Sequence, residues 1–145
     1  MSVGKICTRV IATASPHESI RTAAQRMAAY DVGTLVVLEA GRRGQAVGMV
    51  TDRDITIRCV AKNLDPDQAR VSEVMTTPVQ RVDEHTPIGE AVSRMANAGT
   101  RRLLVTGDVE GVVGVLSMDD VLGLVVEQTA AIGRLLERQK PLIPA

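Results

Sequence analysis

Apolar positions fall into a sequence of stripes and runs that occurs twice along the chain. Ile20, Ala23, Ala24, Met27 and Ala28 recur at helical spacing and predict an amphipathic helix, entered through Ser15 or Ser19 as cap and ended by Tyr30-Asp31-Val32-Gly33. Two β-rich apolar runs follow, Thr34 to Leu38 and Ala46 to Val50, around Gly41-Arg42-Arg43-Gly44, which predicts a hairpin. Thr51 then caps a helix to about Ala61, with Ile55, Ile57, Cys59 and Val60 available for burial. Upstream, residues 2 to 14 read as mostly extended, with Val10 and Ile11 supplying a short first strand.

The second passage has the same order. Val71 to Met75 is a short helical or turn segment, and Thr76-Thr77-Pro78 leads into a strand from Val79 to Val82. Thr86-Pro87 opens a helix, with proline at the first helical position, where its missing N–H does no harm. Ile88, Ala91, Val92 and Met95 form its apolar face. Leu103 to Thr106 and Val112 to Leu116 predict a second hairpin around Gly107-Asp108. Ser117 caps a longer helix rich in apolar residues, from Val121 through Leu135 and Leu136.

These passages are copies of one unit. Gly48-Met49-Val50-Thr51-Asp52-Arg53-Asp54-Ile55 matches Gly114-Val115-Leu116-Ser117-Met118-Asp119-Asp120-Val121 at a constant offset (120 − 54 gives 66). Upstream the offset is 68, as for Met27 and Met95, so two residues are gained in the Arg42-Arg43 loop. The organisation read from this is repeat one over 1–64, a linker over 65–70, repeat two over 71–127, and a helix extension and tail over 128–145.

Composition narrows the function. The 145 residues include no Phe or Trp and only Tyr30, so the core must be aliphatic and a bound base would sit in an aliphatic slot rather than on an aromatic platform. Seventeen basic and seventeen acidic residues cancel, which argues against nucleic acid or a basic membrane surface as partner. There is no signal-like segment and no apolar run long enough to span a bilayer, so a cytoplasmic protein is expected. Cys7 and Cys59 occupy unrelated places and read as reduced thiols; His17 and His85 are equivalent loop residues, and no metal site is expected.

The duplicated motif supports two accounts. Hydroxyl-x-x-carboxylate at a helix start is a capping box, with reciprocal bonds between the hydroxyl residue and the N3 carboxylate residue. The same geometry suits a nucleotide: a helix N-terminus attracts phosphate, the hydroxyl adds a donor, and a carboxylate one turn in accepts ribose hydroxyls. Nearby arginines would complete such a site, and Arg53, Arg101 and Arg102 are the candidates. Gly33-Thr34 replaces Arg101-Arg102 in repeat one, so the Asp120 site is expected to hold phosphate more tightly than the Asp54 site.

The paired Gly-h-h-[Thr/Ser]-x-x-Asp motifs, Val74-Met75-Thr76-Thr77-Pro78 and Arg101-Arg102-Leu103-Leu104-Val105 together resemble a tandem pair of cystathionine β-synthase (CBS) domains, the Bateman module, over about Lys5 to Glu127. The wording around Thr51-Asp52-Arg53-Asp54-Ile55 is similar to small stand-alone bacterial CBS-pair proteins. The resemblance implies an α/β fold of two β-α-β-β-α repeats whose sheets pack about a pseudo-twofold axis. It implies clefts that hold AMP, ADP, ATP, NAD(H) or S-adenosylmethionine, no obligatory cofactor, and a disc-like homodimer. By position, Asp54 and Asp120 would bind ribose, and Thr51 and Ser117 phosphate. Thr77, Val79 and Gln80 would line the adenine pocket of the second site beside Thr100 and Arg101, with Ile11, Ala12, Val32 and Gly33 as the first-site equivalents. Pro87, where a hydroxyl often caps, and Met118, where a polar residue is usual, depart from the pattern. The expected function is a non-catalytic sensor that signals to a protein effector. The alternative is an interaction module with vestigial clefts, acting through its last helix.

Overall fold

A computed structural model describes residues 1–40, 45–109 and 111–139. The Arg42-Arg43 loop and the last six residues of the expected tail lie outside them. The elements are β1 Thr13–Ala14, α1 Ile20–Tyr30, β2 Thr34–Leu38, β3 Ala46–Thr51, α2 Asp52–Asp54, α3 Val71–Val74, β4 Arg81–Asp83, α4 Ile88–Ala98, β5 Arg102–Thr106, β6 Val112–Ser117 and α5 Met118–Arg138. α2 continues without a break into a π-helical stretch, Ile55–Val60, and a 3₁₀ turn spans Val3–Lys5.

Each repeat builds one three-stranded sheet, β1-β2-β3 and β4-β5-β6, with the first pair parallel and the second antiparallel. The copies agree in detail. Leu35 pairs with Val50 as Leu103 pairs with Leu116, and both hairpins carry a register shift at the equivalent step, Val37/Leu38 and Val105/Thr106.

The helices that cover these sheets begin and end as their sequences dictate. Ser19 Oγ accepts the Thr22 N–H at 3.1 Å and caps α1. Pro87, the cap residue of α4 rather than its first helical residue, makes no side-chain cap bond. α1 ends on Asp31 at φ 52° and α4 on Gly99 at φ 62°, so glycine meets without strain a left-handed turn that aspartate tolerates.

The three central residues of β2 and of β5 are all buried, because both faces of each sheet are covered. Leu35 and Val37 face the first helical core with Ile20, Ala23 and Met27. Leu103 and Val105 face the second with Ala91 and Met95. Val36 and the equivalent Leu104 point the other way and meet, with Met49 and the partly buried Val115, in a third cluster between the sheets. Equivalent residues meeting across one seam give the pseudo-twofold arrangement.

The lead-in segments cross between lobes. Val3, with Ile6 and Cys7 beside it, packs into the core of the second sheet, while Ala69, Val71 and Val74 pack into the core of the first. Thr8 exchanges backbone bonds with Val115 at 2.9 and 3.0 Å, and Thr76 does the same with Met49 at 2.8 and 3.1 Å. This crossing accounts for the glycine that opens each motif. A Cβ on Gly114 would stand 2.7 Å from the Thr8 carbonyl oxygen, and one on Gly48 2.5 Å from Met75 Sδ.

It also corrects the first strand. Residues before Thr13 are drawn toward the second sheet, so the chain joins β2 only at Thr13, and Val10 is 91% exposed. The strand expected at Val79 to Val82 starts later, at Arg81, for the same reason. Of the residues expected to bury the helix after Thr51, Cys59 is buried and Ile55 partly so, but the wider π turn leaves Ile57 and Val60 exposed. Among the described residues no helix is long and apolar enough to cross a membrane.

Candidate functional site

Each motif puts its hydroxyl at the last residue of a strand and its carboxylate one helical turn later, and both capping boxes are fully formed. Thr51 Oγ1 accepts the Asp54 N–H at 3.1 Å while the Asp54 carboxylate accepts the Thr51 N–H at 3.0 Å. Ser117 Oγ accepts the Asp120 N–H at 3.1 Å, and the Asp120 carboxylate accepts both the Ser117 N–H at 2.8 Å and its hydroxyl at 2.9 Å. The capping account therefore holds in both repeats, and what separates them is what each box faces.

Ser117 and Asp120 face a cleft of about 210 Å³. Its other wall is built by repeat one: Ile11, Ala12, Val32, Gly33 and Thr34. Thr51 faces a smaller cleft of about 80 Å³, whose other wall, Thr76, Val79 and Thr100, comes from repeat two. The grouping expected by repeat is thus corrected. Because the lead-ins cross, Ser117 and Asp120 share their cleft with the strand entry of repeat one and Thr51 shares its cleft with that of repeat two, so Gly33-Thr34 belongs with Asp120, while Asp54 borders neither cleft.

The arginines divide differently from expectation. Arg102 begins β5 opposite Ser117 in register and borders both clefts. Arg101 is exposed and borders neither; it contributes its carbonyl, which accepts the Met118 N–H at 2.8 Å. Gly33 does the same for Asp52 at 3.1 Å. Arg53 is also exposed and borders neither cleft. Thr77 and Gln80 are exposed and lie outside both linings; the Thr77 hydroxyl donates to the Val47 carbonyl, and the Gln80 carbonyl accepts from Leu104.

Two features of the Thr51 side escaped sequence reasoning. Arg58 Nε lies 3.9 Å from the Asp54 carboxylate, and its guanidinium also donates to the Val74 and Met75 carbonyls at 3.1 and 3.2 Å. The i,i+4 spacing from Asp54 was the available signal. In repeat two this position is Leu124, so no cation stands by Asp120 from its own helix. The Asp52 carboxylate, moreover, accepts the Arg53 N–H at 2.8 Å. Met118 has no oxygen with which to do this for Asp119, which borders the larger cleft.

Outside the clefts, a groove of about 560 Å³ runs beside β1 and α1 and shares Val10, Ile11, Ala12 and Val32 with the Asp120 cleft. Its arginine, Arg26, is already bound to Glu18 and to the Thr13 carbonyl. His85 Nε2 lies 3.3 Å from Asp108, and Glu84, which could join them around a cation, already takes a 2.8 Å bond from Arg9. Both cysteines are free, and burial pushes the Cys7 thiol above its ordinary value.

Comparison with known proteins agrees with this architecture. The family model of the CBS domain matches twice, over residues 3–60 and 71–127. The chain is similar to the uncharacterized protein MK0525 of Methanopyrus kandleri, with 31% identity over 84% of this chain and 61% of that one, so it spans less than two thirds of that relative. It is similar also to the CBS domain-containing protein YhcV of Bacillus subtilis, with 36% identity over 83% of this chain and 82% of that one. Among solved structures, the CBS domain protein PAE2072 from Pyrobaculum aerophilum, complexed with AMP, superposes with a TM-score of 0.74 at 27% identity, over 83% of this chain and 89% of that one.

Proposed function

The chain belongs to the CBS domain family as a tandem pair, and from that premise we propose that it is a non-catalytic sensor of adenosyl ligands, AMP or a close derivative. The observation that carries this reading is the Asp120 cleft. There a hydroxyl and a carboxylate at the head of a 21-residue helix face an aliphatic wall, with Arg102 alongside. The wall suits a base in a chain without Phe or Trp, the carboxylate suits ribose hydroxyls, and the helix head with Arg102 suits phosphate. The relative solved with AMP supports the ligand class. The hydroxyls in the clefts serve as helix caps, which favours binding over nucleophilic chemistry.

A thermal-shift panel of AMP, ADP, ATP, NAD(H) and S-adenosylmethionine tests the reading. A true ligand at a hundred times its dissociation constant stabilises the fold by about 2.7 kcal/mol. A melting temperature unmoved by the whole panel leaves the vestigial-cleft alternative.

A second aspect concerns α5. Leu122, Val125, Val126, Ile132, Leu135 and Leu136 are each at least half exposed along it. Such a stripe on a small protein normally marks an interface. We propose that a second copy of the chain covers it, and that the dimer presents cleft occupancy to a protein effector. Leu135→Glu should leave the melting temperature of the lobes nearly unchanged while halving the mass seen by light scattering. A monomer mass for the unmodified chain at micromolar concentration would rule the dimer out.

A further inference from the structure

We infer that Arg102 is a single phosphate anchor shared by the two clefts, so that a nucleotide held in one weakens the binding of a second nucleotide in the other. This rests on the adenosyl-ligand reading above.

Three observations carry it. Arg102 borders both the Asp120 cleft and the Thr51 cleft, and it is the one residue common to their linings. Its repeat-one equivalent is Thr34, which has no charge, so the pseudo-symmetric pair of clefts holds one arginine where symmetry would supply two. And its guanidinium has no hydrogen-bond or ion-pair partner among the described residues although the residue is half-buried. The other half-buried arginine among the described residues, Arg26, is engaged with Glu18, and even the exposed Arg58 meets Asp54 and two carbonyls. A partly desolvated cation without a partner is costly, and an incoming anion relieves that cost.

The backbone around Arg102 is fixed while the side chain is not. Its N–H donates to Thr100 Oγ1 at 3.3 Å, and the same hydroxyl donates to the Arg102 carbonyl at 3.1 Å. A held backbone with an unpartnered side chain lets the guanidinium turn to either cleft. The fork that bonds a phosphate bidentately is used up by one phosphate. The first nucleotide therefore takes the arginine, and the second binds without it.

The test separates sharing from dedication to one cleft. AMP and adenosine are titrated calorimetrically into Asp54→Asn and Asp120→Asn chains, each with Arg102 intact or changed to Gln. Each single-cleft chain is expected to bind one AMP. Arg102→Gln should lower AMP affinity roughly tenfold or more in both backgrounds, the scale of a charge-assisted bond, and leave adenosine unmoved. In the unmodified chain the second AMP should bind more weakly than either single-cleft chain binds its own.

If Arg102→Gln weakens AMP in one background only, or in neither, sharing is overturned while the nucleotide reading stands. If AMP and adenosine both fail to bind the unmodified chain, the nucleotide reading falls and sharing with it. The melting temperature of Arg102→Gln should match the parent, because the side chain has no partner to lose. Should it not, Arg102→Lys, which keeps the charge without the fork, carries the same comparison with a smaller loss expected in both backgrounds.

Discussion

At Ser117 the capped helix opens on a cleft of about 210 Å³, whereas at Thr51 the same box faces one of about 80 Å³. The boxes share their two reciprocal backbone bonds, and only the second adds a bond from the Ser117 hydroxyl to Asp120, so the larger difference lies in their surroundings. Asp54 has Arg58 one turn along its own helix; Asp120 has Leu124 at that place. Asp52 occupies the next backbone N–H, which Met118 cannot do. Both carboxylates are engaged by their own boxes, but the Thr51 head also has a cation and a further side-chain acceptor of its own, whereas the Ser117 head faces the larger aliphatic cleft. One repeated unit thus sets the same box in two different surroundings, and Met118 leaves the Asp119 N–H without the side-chain acceptor that Asp52 gives Arg53.

The largest expected effect is on binding. Asp120→Asn keeps an oxygen to accept the cap bond but loses the anion that would hold the ribose, so AMP affinity in calorimetric titration should drop roughly tenfold or more. Asp54→Asn should lower total binding much less, since Asp54 is already paired with Arg58. Equal losses would erase the contrast between the clefts, and unchanged AMP binding in Asp120→Asn would remove the site assignment.

Gly114 and Gly48 give the next contrast, this time in stability. The Cβ of Gly114→Ala would meet the Thr8 carbonyl oxygen at 2.7 Å, which accepts the Val115 N–H at 3.0 Å while the Thr8 N–H bonds Val115 in return. That of Gly48→Ala would meet Met75 Sδ at 2.5 Å, the far part of a flexible side chain. Overpacking of this kind costs about 1–3 kcal/mol, and Gly114→Ala is expected at the upper end. Urea unfolding of both variants decides it, and a larger loss for Gly48→Ala would mean that Met75 cannot move aside.

How far this was legible in the sequence follows from range. The stripe from Ile20 to Met27 and both capping boxes rest on contacts within a few residues, the run from Leu103 to Val105 on its own apolar β-rich composition, and each appears where its pattern puts it. The family was legible because the motifs recur in order. What was not legible depends on pairings across the chain. Thr8 with Val115 and Thr76 with Met49 are unannounced by local pattern, yet they move the first strand from Val10-Ile11 to Thr13 and exchange the cleft walls between repeats. Arg101 and Arg102 are neighbours of identical type, and only the start of β5 decides that the second borders the clefts.

A smaller effect tests the engagement of Asp54. Arg58→Leu makes repeat one resemble repeat two at this position. The lost pair with Asp54 is partly exposed and 3.9 Å apart, and such a pair contributes at most about 1 kcal/mol. The bonds to the Val74 and Met75 carbonyls go with it. The fold should survive with a modest loss in melting temperature. The Thr51 cleft should then bind AMP no worse than before, because Asp54 is released. Weaker AMP binding with Asp120 disabled would show instead that Arg58 itself holds the ligand.

The smallest effect expected is a pH dependence at His85, where the surroundings of the two repeats differ. His17 and His85 stand at equivalent positions, but only His85 meets a carboxylate among the described residues, Asp108 at 3.3 Å. The hydrogen bond that His85 donates to Asp108, together with the carboxylate's charge, raises the His85 pKa above the ordinary 6.5. A raised folded value means that the protonated form is favoured in the folded state. The contribution to stability is therefore complete below about pH 6.5, and it is lost as pH rises through the folded-state value. Both side chains are largely exposed, so solvent and salt screen the pair and the effect on melting should be slight. NMR titration of the His85 imidazole is the sharper measurement. The His85 midpoint should lie above the ordinary value, and Asp108→Asn should lower it. A His85 midpoint unchanged by Asp108→Asn would mean that the pairing does not form in solution.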